Sequence, residues 1–275
     1  MSNCSLPGRP VLRYFGGKWR LAPWIIEHFP VHRVYVEPFG GGASVLMRKP
    51  RSHAEVYNDL DGDLVNLFRI LRDERTARRL EKMIRLTPFA RDEFDLDPAA
   101  AADPIERARR TLIRAQMCVG QAGLRPGQKP GFRAFTGDAG TTSARDWHTY
   151  PDLIADFVAR LGGVVIENRD AKEVMAQQDT PETLHFVDPP YVADTRGSKA
   201  VYRHEMTDAQ HIELCDFLVT LRGMVILCGY EHPLYDRLNW AKTKREAHAD
   251  GARDRVEVLW MNSAALSAQS QVRMF

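Results

Sequence analysis

The segment Asp188-Pro189-Pro190-Tyr191 concentrates the most chemistry in the fewest residues. It follows an apolar run, Leu184-His185-Phe186-Val187, that reads as a strand. Two consecutive prolines remove two backbone donors and fix the path of the chain. Their carbonyls are left for a ligand's donors, the Asp188 carboxylate is a second acceptor, and Tyr191 offers a flat face. Two acceptors beside an aromatic platform suit an exocyclic amino group on a planar base. The plainer alternative is a rigid strand-to-loop turn with a helper aspartate.

Other acids occupy matching places. Glu37 ends the run Arg33-Val34-Tyr35-Val36 and leads through Pro38-Phe39 into Gly40-Gly41-Gly42. Asp59 follows Glu55-Val56-Tyr57-Asn58, and Asp170 follows Gly163-Val164-Val165-Ile166-Glu167. Open α/β sheets bind ligands at the carboxyl ends of their strands, and an acid about 20 residues beyond a glycine turn can grip ribose hydroxyls. Asp59 is placed for that. Each acid alone also fits a helix cap, and the glycine triplet fits a plain tight turn. Acids at the ends of several strands weigh against that reading for the set. The GxGxxG fingerprint is missing, because Ala43-Ser44-Val45 follows the triplet. This points to a nucleoside cofactor without a pyrophosphate and away from a dehydrogenase.

These residues need a scaffold, and the pattern supplies one. A helix is expected over residues 18–29, strands over 33–37 and 55–58, and helices over 43–48 and 61–71. Residues 73–160 are rich in Arg, Ala and Asp and read as mostly helical, with a loop or hairpin over 120–150. The α/β rhythm resumes with strands at 163–167, 184–187 and 224–228, a helix at 208–221, and a late strand at 255–262. The 275 residues suffice for one large domain with an insertion. Net charge is +2, which neither demands nor excludes a nucleic-acid partner. Cys4, Cys118, Cys215 and Cys228 have no CxxC spacing and read as reduced thiols. The first ten residues lack the apolar region of a signal peptide, and no run of about 18 apolar residues suggests a membrane span. The expectation is a cytoplasmic, nucleoid-associated protein.

On these residues the chain resembles the Dam-like family of DNA adenine-N6 methyltransferases. Arg13-Tyr14-Phe15-Gly16-Gly17-Lys18, the Glu37–Ser44 segment, Tyr57-Asn58-Asp59 and Asp188-Pro189-Pro190-Tyr191 resemble the family's motifs in family order. Asn168-Arg169-Asp170 and the 256–262 segment are weaker matches, and Ala43 departs from a glycine common in the family. The resemblance implies an α/β fold: a Rossmann-like seven-stranded methyltransferase sheet built from residues 1–66 and 161–275. A helical target-recognition insertion would cover 67–160. It implies S-adenosylmethionine as methyl donor, no metal, and base flipping from double-stranded DNA. Tyr14, Lys18 and Asp188 would contact the donor. Glu37, Phe39, Gly40 and Gly41 would line its amino-acid end, Asp59 its ribose and Asp170 its adenine. Asp188 and the Pro189 carbonyl would accept from the target N6, Pro190 would complete the catalytic motif, and Tyr191 would stack on the base.

In the insertion, Arg125, Lys129, Arg133 and Arg145 interleave with Phe132, Phe135, Trp147 and Tyr150. Arg125, Lys129 and Arg133 are the expected DNA-binding residues, with an aromatic as wedge. Arg107, Arg109, Arg110 and Arg114 read as a solvated helix face, and Lys242, Lys244 and Arg245 as a further phosphate contact. His28 and His32 lack the glutamate of a zinc helix. The rival functions are cytosine-N4 methylation, transfer to RNA, and a non-catalytic DNA-binding protein keeping the fold. Recognition sequence, a restriction partner and oligomeric state stay open, with a dimer compatible.

Overall fold

The structure, a computed structural model, describes residues 6–127, 130–134, 141–196, 201–248 and 254–272. Seven strands lie among them: β1 Val34–Glu37, β2 Ala54–Asn58, β3 Val164–Glu167, β4 Thr183–Val187, β5 Met224–Tyr230, β6 Ala241–His248 and β7 Asp254–Met261. They form one sheet in the order β3-β2-β1-β4-β5-β7-β6. The pairs β1–β2, β1–β4, β2–β3 and β4–β5 are parallel; β7 runs antiparallel to β5 and β6. Central parallel strands are covered on both faces, so they read as near-continuous apolar runs. Every residue of β4 is buried.

The helices are α1 Ala22–Glu27, α2 Ser44–Arg48, α3 Gly62–Arg72, α4 Glu74–Arg85, α5 Arg91–Asp95, α6 Pro104–Met117, α7 Ser143–Thr149, α8 Ile154–Leu161, α9 Ala171–Gln178, α10 Asp208–Leu218 and α11 Ser263–Val272. Their starts follow capping chemistry. Asp61, Asp103 and Asp170 accept backbone N–H groups of the first turns of α3, α6 and α9. Thr207 and Gln210 form a reciprocal capping box at α10.

Alternate residues of the strands face opposite sides. Val36, Val56, Val187 and Val225 belong to one cluster, with Leu214 and Trp260. Tyr35, Tyr57, Phe186 and Ile226 belong to another, which continues without a break into Leu80, Leu112, Trp147 and Phe157. Residues 73–161 therefore share the interior of that face of the sheet. An ion-pair triad reinforces the junction. Arg160 of α8 is 1% exposed and donates to both oxygens of Glu55 on β2, at 2.6 and 2.9 Å. Lys49 donates to the same carboxylate at 2.6 Å.

Several expectations need correction. The first helix begins at Ala22, with residues 19–21 in turns. The loop expected over 120–150 contains α7. Strand β6 was not anticipated: it is a charged outer strand, exposed along most of its length, so it carries no apolar alternation. The arginines of α6 are not a solvated face. Arg109 is 8% exposed and bonds Glu106, Glu93 and Thr87; Arg110 bonds Glu106, and Arg107 bonds Asp63. Trp147 and Tyr150 are not free wedges. They stack on each other and donate to the carbonyls of Thr87 and Val11. Phe132 packs against Phe89 and Phe94, while Phe135 lies outside the described residues. No helix among the described residues is long and apolar enough to cross a membrane.

The triad makes a stability prediction. Arg160→Met strands much of the Glu55 charge in the interior and should lower unfolding free energy by about 3–5 kcal/mol. Arg79→Ala breaks an exposed pair with Asp103 and should cost less than about 1 kcal/mol. Urea midpoints at unchanged slope measure both.

Candidate active site

The strand order reverses direction between β1 and β4, and a ligand crevice is expected where two such strands end side by side. A cavity of about 190 Å³ lies there. Its walls include Tyr14, Lys18, Glu37, Phe39, Gly40, Gly41, Asp59, Asp170, Asp188 and Pro190, gathered from five separate stretches of sequence.

The glycine loop is shaped by two tyrosines. A Cβ on Gly40 would lie 2.1 Å from the Tyr57 ring, so no side chain fits. Tyr57 donates its hydroxyl to the Gly41 carbonyl at 2.9 Å. Gly41 has φ +48°, and a Cβ there would meet the Tyr14 ring at 2.9 Å. Ala43, the departure from the family pattern, sits at φ 53°, a conformation that costs a non-glycine residue about 1–2 kcal/mol. A glycine there would avoid that cost.

Asp59 ties this loop down. Its two oxygens accept from Gly41 N at 2.8 Å and Asp61 N at 2.7 Å. Burial raises its pKa to about 6, and the two backbone donors oppose the rise. Asp170 spends one oxygen on capping α9 while lining the cavity. Glu37 is buried, and its Oε2 accepts from the Tyr35 hydroxyl at 2.9 Å and Leu46 N at 3.0 Å. Burial lifts its pKa to about 8; those donors pull downward, and the charge of Asp188 pushes further up.

Asp188 and Lys18 form the innermost pair. Lys18 Nζ is 3.0 Å from Asp188 Oδ2 and donates to the Gly16 carbonyl at 2.8 Å. Burial works against the lysine's charge, but Asp188 and Glu257 outweigh it and hold its pKa well above the usual value. Burial raises Asp188, and Lys18 works against that rise. Asp188 Oδ1 is buried and has no hydrogen-bond partner. Tyr191 is buried, with Lys18 Nζ 4.6 Å from its ring centroid. Its hydroxyl donates to Glu257 Oε2 at 2.6 Å.

Beside this cavity lies a larger cleft of about 750 Å³. Tyr14, Gly16, Lys18, Ser44 and Tyr202 line both spaces. Arg9, Arg20, Arg133, Arg196 and Arg245 line the cleft, as does Tyr191. Arg133 is thus on the cleft as expected. Arg125 is not among its walls: the guanidinium lies 4.6 Å over the Phe15 ring, with Nε buried and unpartnered. Lys129 lies outside the described residues. Lys242 and Lys244 both pair with Glu231, and Arg245 lines the cleft from that strand beside the acidic Glu246.

Three site residues carried no sequence signal of a role. Tyr202 stands where a Gly16 Cβ would be, 2.4 Å from its hydroxyl. Arg203 pairs with Asp61 at 2.9 Å and Asp63 at 2.7 Å at the cavity rim. Glu257 was legible only as part of the 256–262 segment.

A family model described as D12 class N6 adenine-specific DNA methyltransferase matches residues 14–226. No curated protein matches the chain.

Glu37 makes a pH prediction. With a folded pKa of about 8, the folded state keeps a proton that the unfolded chain releases above its ordinary pKa of about 4.3. Stability therefore falls as pH rises between these values. Glu37→Gln keeps an acceptor and removes this slope. Between pH 5 and 8 the wild type should lose on the order of 2–4 kcal/mol more than the variant. Urea unfolding of both proteins across that range is the measurement.

Proposed function

The chain belongs to the D12 class N6 adenine-specific DNA methyltransferases, and from that premise we propose how its residues hold donor and target. As a member it is an enzyme that methylates adenine N6 in DNA. The match names adenine, which sets the cytosine-N4 reading aside.

The donor we assign is S-adenosylmethionine, which supplies a methyl group on a cationic sulfonium. The residues fit such a group. Glu37, Asp59, Asp170 and Asp188 bring four carboxyl groups to one cavity, suited to a ligand with positive charge and ribose hydroxyls. Tyr14, Phe39, Gly40 and Gly41 provide apolar walls and close backbone approach. Glu37 is the acid placed for an ammonium, Asp59 for the ribose and Asp170 for the amino group of the donor's adenine.

The observation that carries the assignment is Asp188 Oδ1, a buried acceptor without a partner. Buried polar atoms are rarely left unsatisfied, so an orphan on a cavity wall calls for a ligand donor. An N6–H of a flipped adenine is that donor, with the Pro189 carbonyl as second acceptor. Lys18 occupies the other Asp188 oxygen, and in this reading Oδ1 is the one left for the substrate. Pro189 and Pro190 hold this acceptor set on the end of a buried strand. Accepting both N6 hydrogens favours a tetrahedral nitrogen with its lone pair directed at the methyl group, so catalysis is chiefly orientation. With the donor bound, the N6–carbon bond would form as the bond from the methyl group to sulfur breaks, leaving a neutral thioether, and the N6 proton would pass to water.

Double-stranded DNA occupies the larger cleft in this reading, between the sheet and the recognition insertion of residues 67–160. Arg9, Arg20, Arg133 and Arg245 on its walls suit phosphates and guanine edges, while Arg196 is committed to Glu205; Tyr191 on the same wall meets the flipped base. Arg133 is the insertion's contact, with Lys129 nearby in sequence. Arg125 reaches DNA in this reading by leaving its place over Phe15.

Two outcomes are expected. Asp188→Asn retains shape and loses charge; it should lower kcat at least about 100-fold while calorimetric S-adenosylmethionine affinity stays within a few-fold. Near wild-type methyl incorporation into DNA would refute the acceptor role. Arg133→Ala should reduce the salt slope of DNA binding by about one unit for a phosphate contact. Fluorescence titrations at several salt concentrations decide it, and an unchanged slope and affinity would remove Arg133 from the interface.

A further inference from the structure

We propose that Glu257 is a positioning residue for methyl transfer, holding the Tyr191 ring by its hydroxyl in the plane where it meets the target base. The inference rests on the preceding reading, in which Tyr191 faces a flipped adenine.

Two prolines fix the backbone ahead of Tyr191, but they do not fix its ring. Three contacts do. Lys18 Nζ lies over the ring at 4.6 Å from the centroid. Tyr230 packs edge-on, with centroids 4.6 Å apart and planes at 76°. The hydroxyl donates to Glu257 Oε2 at 2.6 Å. That last contact is short and directional, and a hydrogen bond to a carboxylate is stronger than one between neutral groups. Glu257 is itself on a rigid element. It sits in β7 directly opposite Tyr230 of β5, and it is 5% exposed. Glu257, Tyr191 and Tyr230 together line the larger cleft. A ring held by a strand residue is more accurately placed than one held by a loop.

A buried carboxylate needs a reason to be there, because desolvating it costs several kcal/mol. Packing alone would be met by leucine at this position. The phenol and the Lys18 ammonium are what a carboxylate can serve and a leucine cannot. The hydroxyl also lies near the Asp188 carboxyl and 3.3 Å from Cys228 Sγ, a weak acceptor that would not hold the ring to one plane; the 2.6 Å bond to Glu257 is the short one.

The test compares Tyr191→Phe, Glu257→Gln, Glu257→Leu and the double variant Tyr191→Phe/Glu257→Leu. The substrate is DNA from a methylation-deficient host, with radiolabelled S-adenosylmethionine. Tyr191→Phe and Glu257→Leu should each lower kcat about 10- to 100-fold, the size expected for a small misplacement. KM for DNA and calorimetric cofactor affinity should stay within about twofold. Glu257→Gln, which still accepts the hydrogen bond, should keep most of the activity. The double variant should be no slower than the worse single one. A structural role alone would lower thermal stability and leave kcat intact. Tyr191→Phe deletes one hydroxyl and keeps the ring volume, so it decides the matter even where Glu257→Leu does not fold. Wild-type kcat in Tyr191→Phe, or multiplying losses in the double variant, overturns the inference alone. A wild-type protein that labels no adenine overturns the functional reading and this inference with it.

Discussion

A lysine ammonium in a protein interior loses several kcal/mol of hydration unless opposite charge lies beside it. Lys18 has 5% of its side chain exposed, and the surrounding site is arranged around that cost. Asp188 meets it directly, Glu257 contributes from β7, and the Gly16 carbonyl takes one of its hydrogens. The consequence for Asp188 is specific. One oxygen is committed to the lysine and the other is left buried and unpartnered. A single ion pair thus makes the two oxygens of one carboxyl group unequal. Lys18 also lies over the Tyr191 ring, so the electrostatic and aromatic parts of the site share one residue.

That pair is held by backbone that cannot easily move. Asp188 stands at the end of β4, and Glu37 at the end of neighbouring β1. The glycine loop between Glu37 and α2 is clamped from both sides, by Tyr57 at Gly40 and Tyr14 at Gly41, and anchored by Asp59. Glycine is required at these positions first by the protein's own aromatic rings. The same glycines line the cavity wall. Asp59 shows the same double use: it stabilises the loop through two backbone donors and presents a carboxylate at the cavity.

The helical segment is bound to this machinery more firmly than a loose appendage would be. Arg160 joins α8 to β2, and Arg107 joins α6 to Asp63 at the start of α3. Asp63 also pairs with Arg203, from the stretch between β4 and α10. Arginines that read in sequence as a solvated helix face are therefore largely internal fasteners. The cleft is instead lined by arginines from scattered places: Arg9 and Arg20 before the first strand, Arg133 in the insertion, and Arg245 on the outer strand.

Much of the scaffold and site was legible in the order of residues. Apolar runs ending in acids located β1–β4 and placed Glu37, Asp59, Asp170 and Asp188 at strand ends, because buried parallel strands must be apolar and their ends face the crevice. All nine expected donor-contact residues line one cavity. Strand β6 was not legible, since an exposed outer strand has no face to bury and no pattern to show. Trp147, Tyr150 and Arg109 were misread because a side chain's partner is set by distant chain: Thr87, Val11 and Glu93. Glu257 illustrates the limit most directly. It is 66 residues from Tyr191, and only the pairing of β5 with β7 brings its carboxylate to the phenol. The sequence by itself determined which chemical groups end the strands. The tertiary structure alone decided which of them lose water together, and so which charge, ring and orphaned oxygen act as one site.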